Sequence, residues 1–76
     1  MIVIGEKLNT SIDVIREAVQ NSDIETIKGI ALSQARAGAD YIDVNCGTFV
    51  DREPELLMWM TEILVEYTDK PLCIDS

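Results

Sequence analysis

Short apolar runs alternate along the chain with stretches in which hydrophobic residues recur at helical spacing. The apolar runs are rich in β-branched residues and predict buried strands at residues 1–4, 39–45 and 72–75. Between the strands, apolar residues three or four positions apart predict a short helix ending near Asn21, a second ending at Gly38 and a third ending before Pro71. The predicted order is therefore β-α-α-β-α-β.

Local signals predict where these elements begin and end. Ser22 is followed three residues later by Glu25, which forms a capping box and predicts that the second helix is capped by Ser22. Gly38 suits the left-handed turn that closes a helix, and Pro54 suits the first turn of the next one. Residues 5–11 are mostly polar and are predicted to form a loop after the first strand.

The alternation of strands and helices predicts an α/β fold with a parallel sheet, either doubly wound or closed into a barrel. No linker composition interrupts the sequence, so residues 1–76 are predicted to lie in a single domain. A last parallel strand with an uncovered edge is an unfavourable place for a domain to stop. We therefore expect an incomplete domain, the amino-terminal part of a larger one.

The charge balance excludes several classes of partner. Fourteen acidic residues against six basic ones give a formal charge of −8, so no basic patch is available for nucleic acid or an anionic membrane. No apolar run is long enough to span a bilayer, and the amino-terminal residues lack the pattern expected of a signal peptide. The two cysteines, Cys46 and Cys73, are far apart and there is no histidine, so we expect free thiols, no bound metal and a cytoplasmic location.

Polar residues end each predicted strand. Side chains alternate between the two faces of a strand, so Asp43 and Asn45 share one face, and Asp75 ends the third strand. If the chain stays extended beyond the first strand, Glu6 shares a face with Ile2 and Ile4. Asn9 lies three residues further along the same segment. Because parallel α/β folds place their sites at the carboxyl ends of the strands, these five side chains are predicted to converge on one site.

Structural roles remain open for each of these residues. Glu6 can pair with the adjacent Lys7, and Asn9 can form a turn. Asp43, Asn45 and Asp75 can cap neighbouring loops, although polar groups inside a strand need partners to offset the loss of solvation.

A site built from carboxylates and amides suits a neutral heterocycle with several N–H donors and carbonyl acceptors. A pterin has these groups, and so does a purine. The sequence contains no phosphate-binding glycine loop, and without histidine it offers no histidine-based nucleophilic triad.

Three segments resemble the signatures of one enzyme family. Residues 4–9, I-G-E-K-L-N, resemble the first-strand signature of the methyltetrahydrofolate–corrinoid methyltransferases. Residues 37–45, A-G-A-D-Y-I-D-V-N, resemble their second-strand segment, and residues 70–76, K-P-L-C-I-D-S, resemble their third. The motifs follow the family's order and span nearly the whole chain. The folate domain of cobalamin-dependent methionine synthase is similar.

The resemblance implies the amino-terminal part of a pterin-binding TIM (β/α)8 barrel. Its activity would be transfer of a methyl group between N5 of tetrahydrofolate and the cobalt of a corrinoid (cobalamin) carried by a partner protein, with a homodimer possible. Asp75 is then the main pterin ligand, with Asn9, Asn45, Asp43 and Glu6 lining or supporting the pocket. The catalytic residues are expected on later strands, and the barrel itself binds no metal.

Two alternatives remain. Dihydropteroate synthase is a more distant relative with the same pterin site, but its two characteristic loops are missing, and residues 45–48 read N-C-G-T instead. The chain can also be a non-catalytic folding or interaction module. In either enzyme reading, the 76 residues alone are expected to be inactive, because three strands cannot close a barrel pocket.

Overall fold

The structure, a computed structural model, describes the backbone of residues 1–75 and the side chains of residues 1–74. In this part of the chain, strands and helices follow one another in the predicted order β-α-α-β-α-β. The elements are β1 (Ile4–Asn9), α1 (Asp13–Gln20), α2 (Ile24–Arg36), β2 (Tyr41–Asn45), α3 (Glu53–Tyr67) and β3 (Leu72–Asp75).

The described strands form one parallel sheet in the order β1-β2-β3, with β2 in the centre. Along β2, Ile42 and Val44 are fully buried, whereas Tyr41 is exposed and Asp43 and Asn45 are half-buried. The buried residues face the helices, and the alternating residues face the open side of the sheet. The parallel α/β class predicted from the sequence is thus confirmed.

The core lies between the helices and the covered face of the sheet. α2 contributes Ile27 and Ala31, and α3 contributes a longer apolar stripe that includes Met60 and Leu64. The two helices also meet at the surface, where Nζ of Lys28 lies 4.3 Å from the centre of the Tyr67 ring. This packing fixes both helices against β1 and β2, so the helices support these strands on the covered face of the sheet.

The predicted position of β1 was wrong. Residues 1–4 were expected to form the strand and residues 5–11 a loop, but the strand runs from Ile4 to Asn9. Its polar residues are compatible with a strand because one face of the sheet is open, and Leu8 alone supplies a fully buried side chain. Pairing with β2 therefore overrides the weak hydrophobic pattern of this segment.

The predicted cap of α2 was also wrong by one residue. Asp23 is the N-cap, and its carboxylate accepts from the backbone N–H of Thr26 at 3.2 Å and from the Thr26 hydroxyl at 2.6 Å. Ser22 has φ +52°, in the left-handed region, and so lacks the extended backbone of an N-cap residue. Gly38, just past the helix, has φ +98° and closes it as predicted.

Within the described residues, none of the helices has both the length and the apolar character that crossing a membrane requires.

Candidate functional site

The carboxyl ends of the three strands carry a row of polar residues. Asn9 is aligned with Asn45 across the β1–β2 pair, and Asn45 is aligned with Asp75 across the β2–β3 pair. Adjacent strands lie about 4.8 Å apart, so the row spans about 10 Å. We call these three residues the strand-end row. The structure thus brings the backbones of Asn9, Asn45 and Asp75 together at one edge of the sheet. The side chain of Asp75 lies outside the described residues.

Both asparagines of the row are held by the same kind of turn. Oδ1 of Asn9 accepts from the backbone N–H of Ser11 at 2.9 Å, and Oδ1 of Asn45 accepts from the backbone N–H of Gly47 at 2.8 Å. These Asx turns fix the two side chains at the point where each strand becomes a loop. The predicted turn at Asn9 therefore exists. It holds the Asn9 amide at the strand end, where the sequence also predicted a site.

Thr10 ties the first two strand ends together and was missed by sequence reasoning. It is fully buried, and its N–H donates to the carbonyl of Asn45 at 2.9 Å. Its hydroxyl accepts from the N–H of Thr48 at 3.4 Å, and its carbonyl accepts from the Thr48 hydroxyl at 3.3 Å. In the sequence, Thr10 follows a predicted turn residue, and no local signal identifies Thr48, 38 positions later, as its partner.

Asp43 and Glu6 lie further from the strand ends. Asp43 is half-buried and aligned with Cys73, two residues before the strand-end row on the open face. Glu6 is exposed and lies within an irregularity of β1 between Gly5 and Leu8. That irregularity interrupts the simple alternation from which the face of Glu6 was predicted, so the shared face of Glu6 and Ile4 stays a prediction.

Cys46, directly after the strand-end row, is an inert thiol. It is fully buried, with Sγ 3.3 Å from Sδ of Met60. Burial, together with the nearby negative charge of Glu53, raises the pKa of the Cys46 thiol to about 11. The thiol is therefore neutral at pH 7 and unsuited to act as a nucleophile. Among the described residues, no cluster of three or more histidine, cysteine or acidic side chains is arranged to hold a metal ion.

The arrangement is suited to binding rather than to covalent chemistry. The described side chains at the strand ends are the amides of Asn9 and Asn45, held by turns, and the hydroxyl of Thr10. They lie at the edge where parallel α/β proteins bind small molecules. Such groups match a planar ring with N–H and carbonyl edges. The fold is thus that of a parallel α/β protein, and its strand-end row lies at the edge of the sheet where proteins of this class bind small molecules.

Comparison with known proteins identifies the family. No protein-family model matches the chain. Over all 76 residues, it is 50% identical to a methylcorrinoid:tetrahydrofolate methyltransferase from Eubacterium limosum. The chain belongs to the methyltetrahydrofolate–corrinoid methyltransferase family, as the three sequence motifs indicated. It spans 28% of the length of this curated relative.

Proposed function

We propose that this chain contributes the first part of the pterin-binding site of an enzyme that moves a methyl group between a corrinoid protein and tetrahydrofolate. The observation that carries the proposal is the alignment of Asn9, Asn45 and Asp75 in one row at the ligand-binding edge. The 50% identity to a methylcorrinoid:tetrahydrofolate methyltransferase supports the same activity over a dihydropteroate synthase-like condensation.

The residues of the row have separate roles in this proposal. Asp75 accepts hydrogen bonds from the N–H groups of the pterin ring, because a carboxylate is a strong acceptor with no donor of its own. Asn9, whose Oδ1 is engaged by Ser11, contributes chiefly its N–H₂ group as a donor to ring carbonyl or nitrogen atoms. Asn45 and Asp43 support the same pocket from β2, and Glu6 lies at its margin.

The chemistry of methyl transfer requires positioning of the folate and activation of its N5 nitrogen. A bound corrinoid supplies the cobalt that carries or accepts the methyl group. The residues described above hold the ring, and we propose that the groups that assist proton transfer at N5 lie on strands beyond β3. The name of the relative favours the direction from methylcorrinoid to tetrahydrofolate.

We also propose that the chain forms the opening segment of a (β/α)8 barrel. Its β-α-α-β-α-β order, its parallel sheet and the 28% share of the relative's length all support this architecture. In such a barrel the open face of the sheet, with Asp43 and Asn45, would become the interior, and the helices would remain outside.

The test is calorimetric titration of the complete polypeptide that carries these residues with methyltetrahydrofolate, beside an Asp75→Asn variant. We expect the variant to bind at least about tenfold more weakly, equivalent to about 1.4 kcal/mol, because an amide cannot accept the same set of ring N–H groups. The matched control is Asp69→Asn, an exposed aspartate before the opposite end of β3, which should leave affinity unchanged.

A folded, full-length wild type that does not bind methyltetrahydrofolate would overturn the folate assignment. The same titration would then be repeated with the pterin pyrophosphate that a dihydropteroate synthase uses. Equal weakening by Asp75→Asn and Asp69→Asn would instead remove Asp75 from the pterin site.

A further inference from the structure

One irregularity in β1 decides which residue of that strand reaches the strand-end row. Ile4 and Gly5 are aligned with Tyr41 and Ile42, but Leu8 is aligned with Val44. Two residues of β1, Glu6 and Lys7, therefore lie opposite the single residue Asp43. This is a β-bulge, in which one strand accommodates an extra residue.

The register on either side of the bulge shows how the bulge changes the positions of Leu8 and Asn9. Continued without the bulge, the register of Gly5 with Ile42 would align Leu8 with Asn45. With it, Leu8 faces the helices, where it is fully buried, and Asn9 is aligned with Asn45. A shift of one residue moves every following side chain to the other face of a strand. The bulge therefore brings Asn9 into the strand-end row and Leu8 into the core.

Gln34 of α2 supports the bulge from the helix side. Its side-chain Oε1 accepts from the backbone N–H of Lys7 at 3.0 Å, inside the bulge. Gln34 is 6% exposed, a rare environment for glutamine. Because Oε1 must accept from an N–H donor, the orientation of the amide is fixed by this bond. Its Nε2 is a buried side-chain nitrogen for which the described residues provide no hydrogen-bond partner.

Gly5 allows Gln34 to approach the strand this closely. A Cβ atom at position 5 would lie 2.5 Å from Oε1 and 2.8 Å from Cδ of Gln34, far inside van der Waals contact. The two residues also line a cavity of about 170 Å³ between β1 and the end of α2. Any side chain at position 5 would therefore displace the amide that holds the Lys7 N–H.

We propose that Gln34 and Gly5 are positioning residues that set the β1 bulge and thereby place Asn9 in the strand-end row. The functional part of this inference rests on the proposed folate function, whereas the register itself does not. Neither residue needs to touch the ligand, since both act through the backbone at Lys7 and the two residues that follow it.

The test compares two substitutions of Gln34 in the complete polypeptide. Gln34→Met keeps the length of the side chain but removes the acceptor, whereas Gln34→Glu keeps an acceptor oxygen. We expect Gln34→Met to weaken methyltetrahydrofolate binding by about three- to tenfold, the usual effect of one lost hydrogen bond, and Gln34→Glu to restore most of it. NMR of the ligand-free protein would follow the Lys7 amide and the cross-strand contact of Asn9 with Asn45.

A double-mutant cycle with Asn9→Ala separates positioning from general loss of stability. If Gln34 acts through Asn9, Asn9→Ala should cost much less affinity in the Gln34→Met background than in the wild type. Ile27→Val, a buried substitution on the same helix, is the control for destabilisation and should leave the effect of Asn9→Ala unchanged.

The outcomes distinguish this inference from the proposed function. Suppose that the wild type does not bind folate but Gln34→Met loses the Asn9–Asn45 contact. This result would support the register role of Gln34 and overturn the folate assignment. An unchanged Asn9–Asn45 contact in Gln34→Met would overturn the positioning role, and so would fully additive effects of Asn9→Ala and Gln34→Met on affinity.

Discussion

At the scale of single residues, two side chains of the proposed site also form turns. Asn9 and Asn45 each accept a hydrogen bond from the backbone N–H two residues ahead, and each lies at the carboxyl end of its strand. The sequence predicted both features separately, because the residue types and their places after apolar runs carry that information. It did not predict that the same side chain would both form the turn and lie in the proposed site.

Thr10 is the residue whose role depends entirely on the fold, and it can be tested directly. Thr10→Val keeps the shape of the side chain but removes the hydroxyl that accepts from the Thr48 N–H. We expect a loss of about 1 kcal/mol in the free energy of unfolding of the complete polypeptide, because the Thr48 N–H loses its hydrogen-bond acceptor. Hydrogen exchange of the Thr48 amide should also become faster.

The control is Thr10→Ser, which removes a buried methyl group but keeps the hydroxyl. It should lower stability while the Thr48 amide stays protected. Equal protection of that amide in Thr10→Val and Thr10→Ser would contradict the link between the two loops.

At the scale of elements, helices were predicted more accurately than the first strand. The apolar stripes of α2 and α3 are long enough to identify from spacing alone, and β3 was predicted with the observed bounds, Leu72–Asp75. β1 has one fully buried residue, so its extent is decided by pairing with β2 and by the bulge. Contacts between residues distant in sequence carry that information, and a local pattern cannot.

The N-cap of α2 gives a prediction that distinguishes Asp23 from Ser22 as the capping residue. Hydrogen bonds from Thr26 hold the pKa of Asp23 below its ordinary value of 3.8, so the ionised carboxylate stabilises the folded state. This contribution is present above pH 3.8 and is lost as the pH falls through the lower pKa of the folded state. We therefore expect Asp23→Ala to lower the melting temperature of the complete polypeptide at pH 7, and the difference from the wild type to shrink at pH 3 and below.

Ser22→Gly is the matched control, because the capping-box interpretation would make Ser22 the cap. Glycine accepts φ +52° without strain, so this variant should melt at or above the temperature of the wild type at both pH values. A larger loss of stability in Ser22→Gly than in Asp23→Ala would show that the helix is capped by the serine.

At the scale of the whole molecule, the described residues leave considerable apolar surface uncovered. Val50, Met58 and Val65 are 80%, 66% and 70% exposed, and Ile74 on β3 is half exposed. In the described sheet, β1 and β3 each have one edge without a neighbouring strand. Open strand edges and exposed apolar side chains both favour association with further polypeptide.

The isolated 76-residue chain is therefore expected to associate rather than to behave as a stable monomer. Sedimentation velocity should detect species larger than 8.5 kDa that grow with concentration, and calorimetry should show a broad transition without a single cooperative peak. Met58→Lys with Val65→Lys should reduce the association, because both changes add charge to the exposed face of α3. In the proposed barrel the same segment should unfold cooperatively with the strands that would complete it. A monodisperse, cooperatively melting 76-residue monomer would instead favour an independent binding or interaction module, because its uncovered edges would then need no further strands.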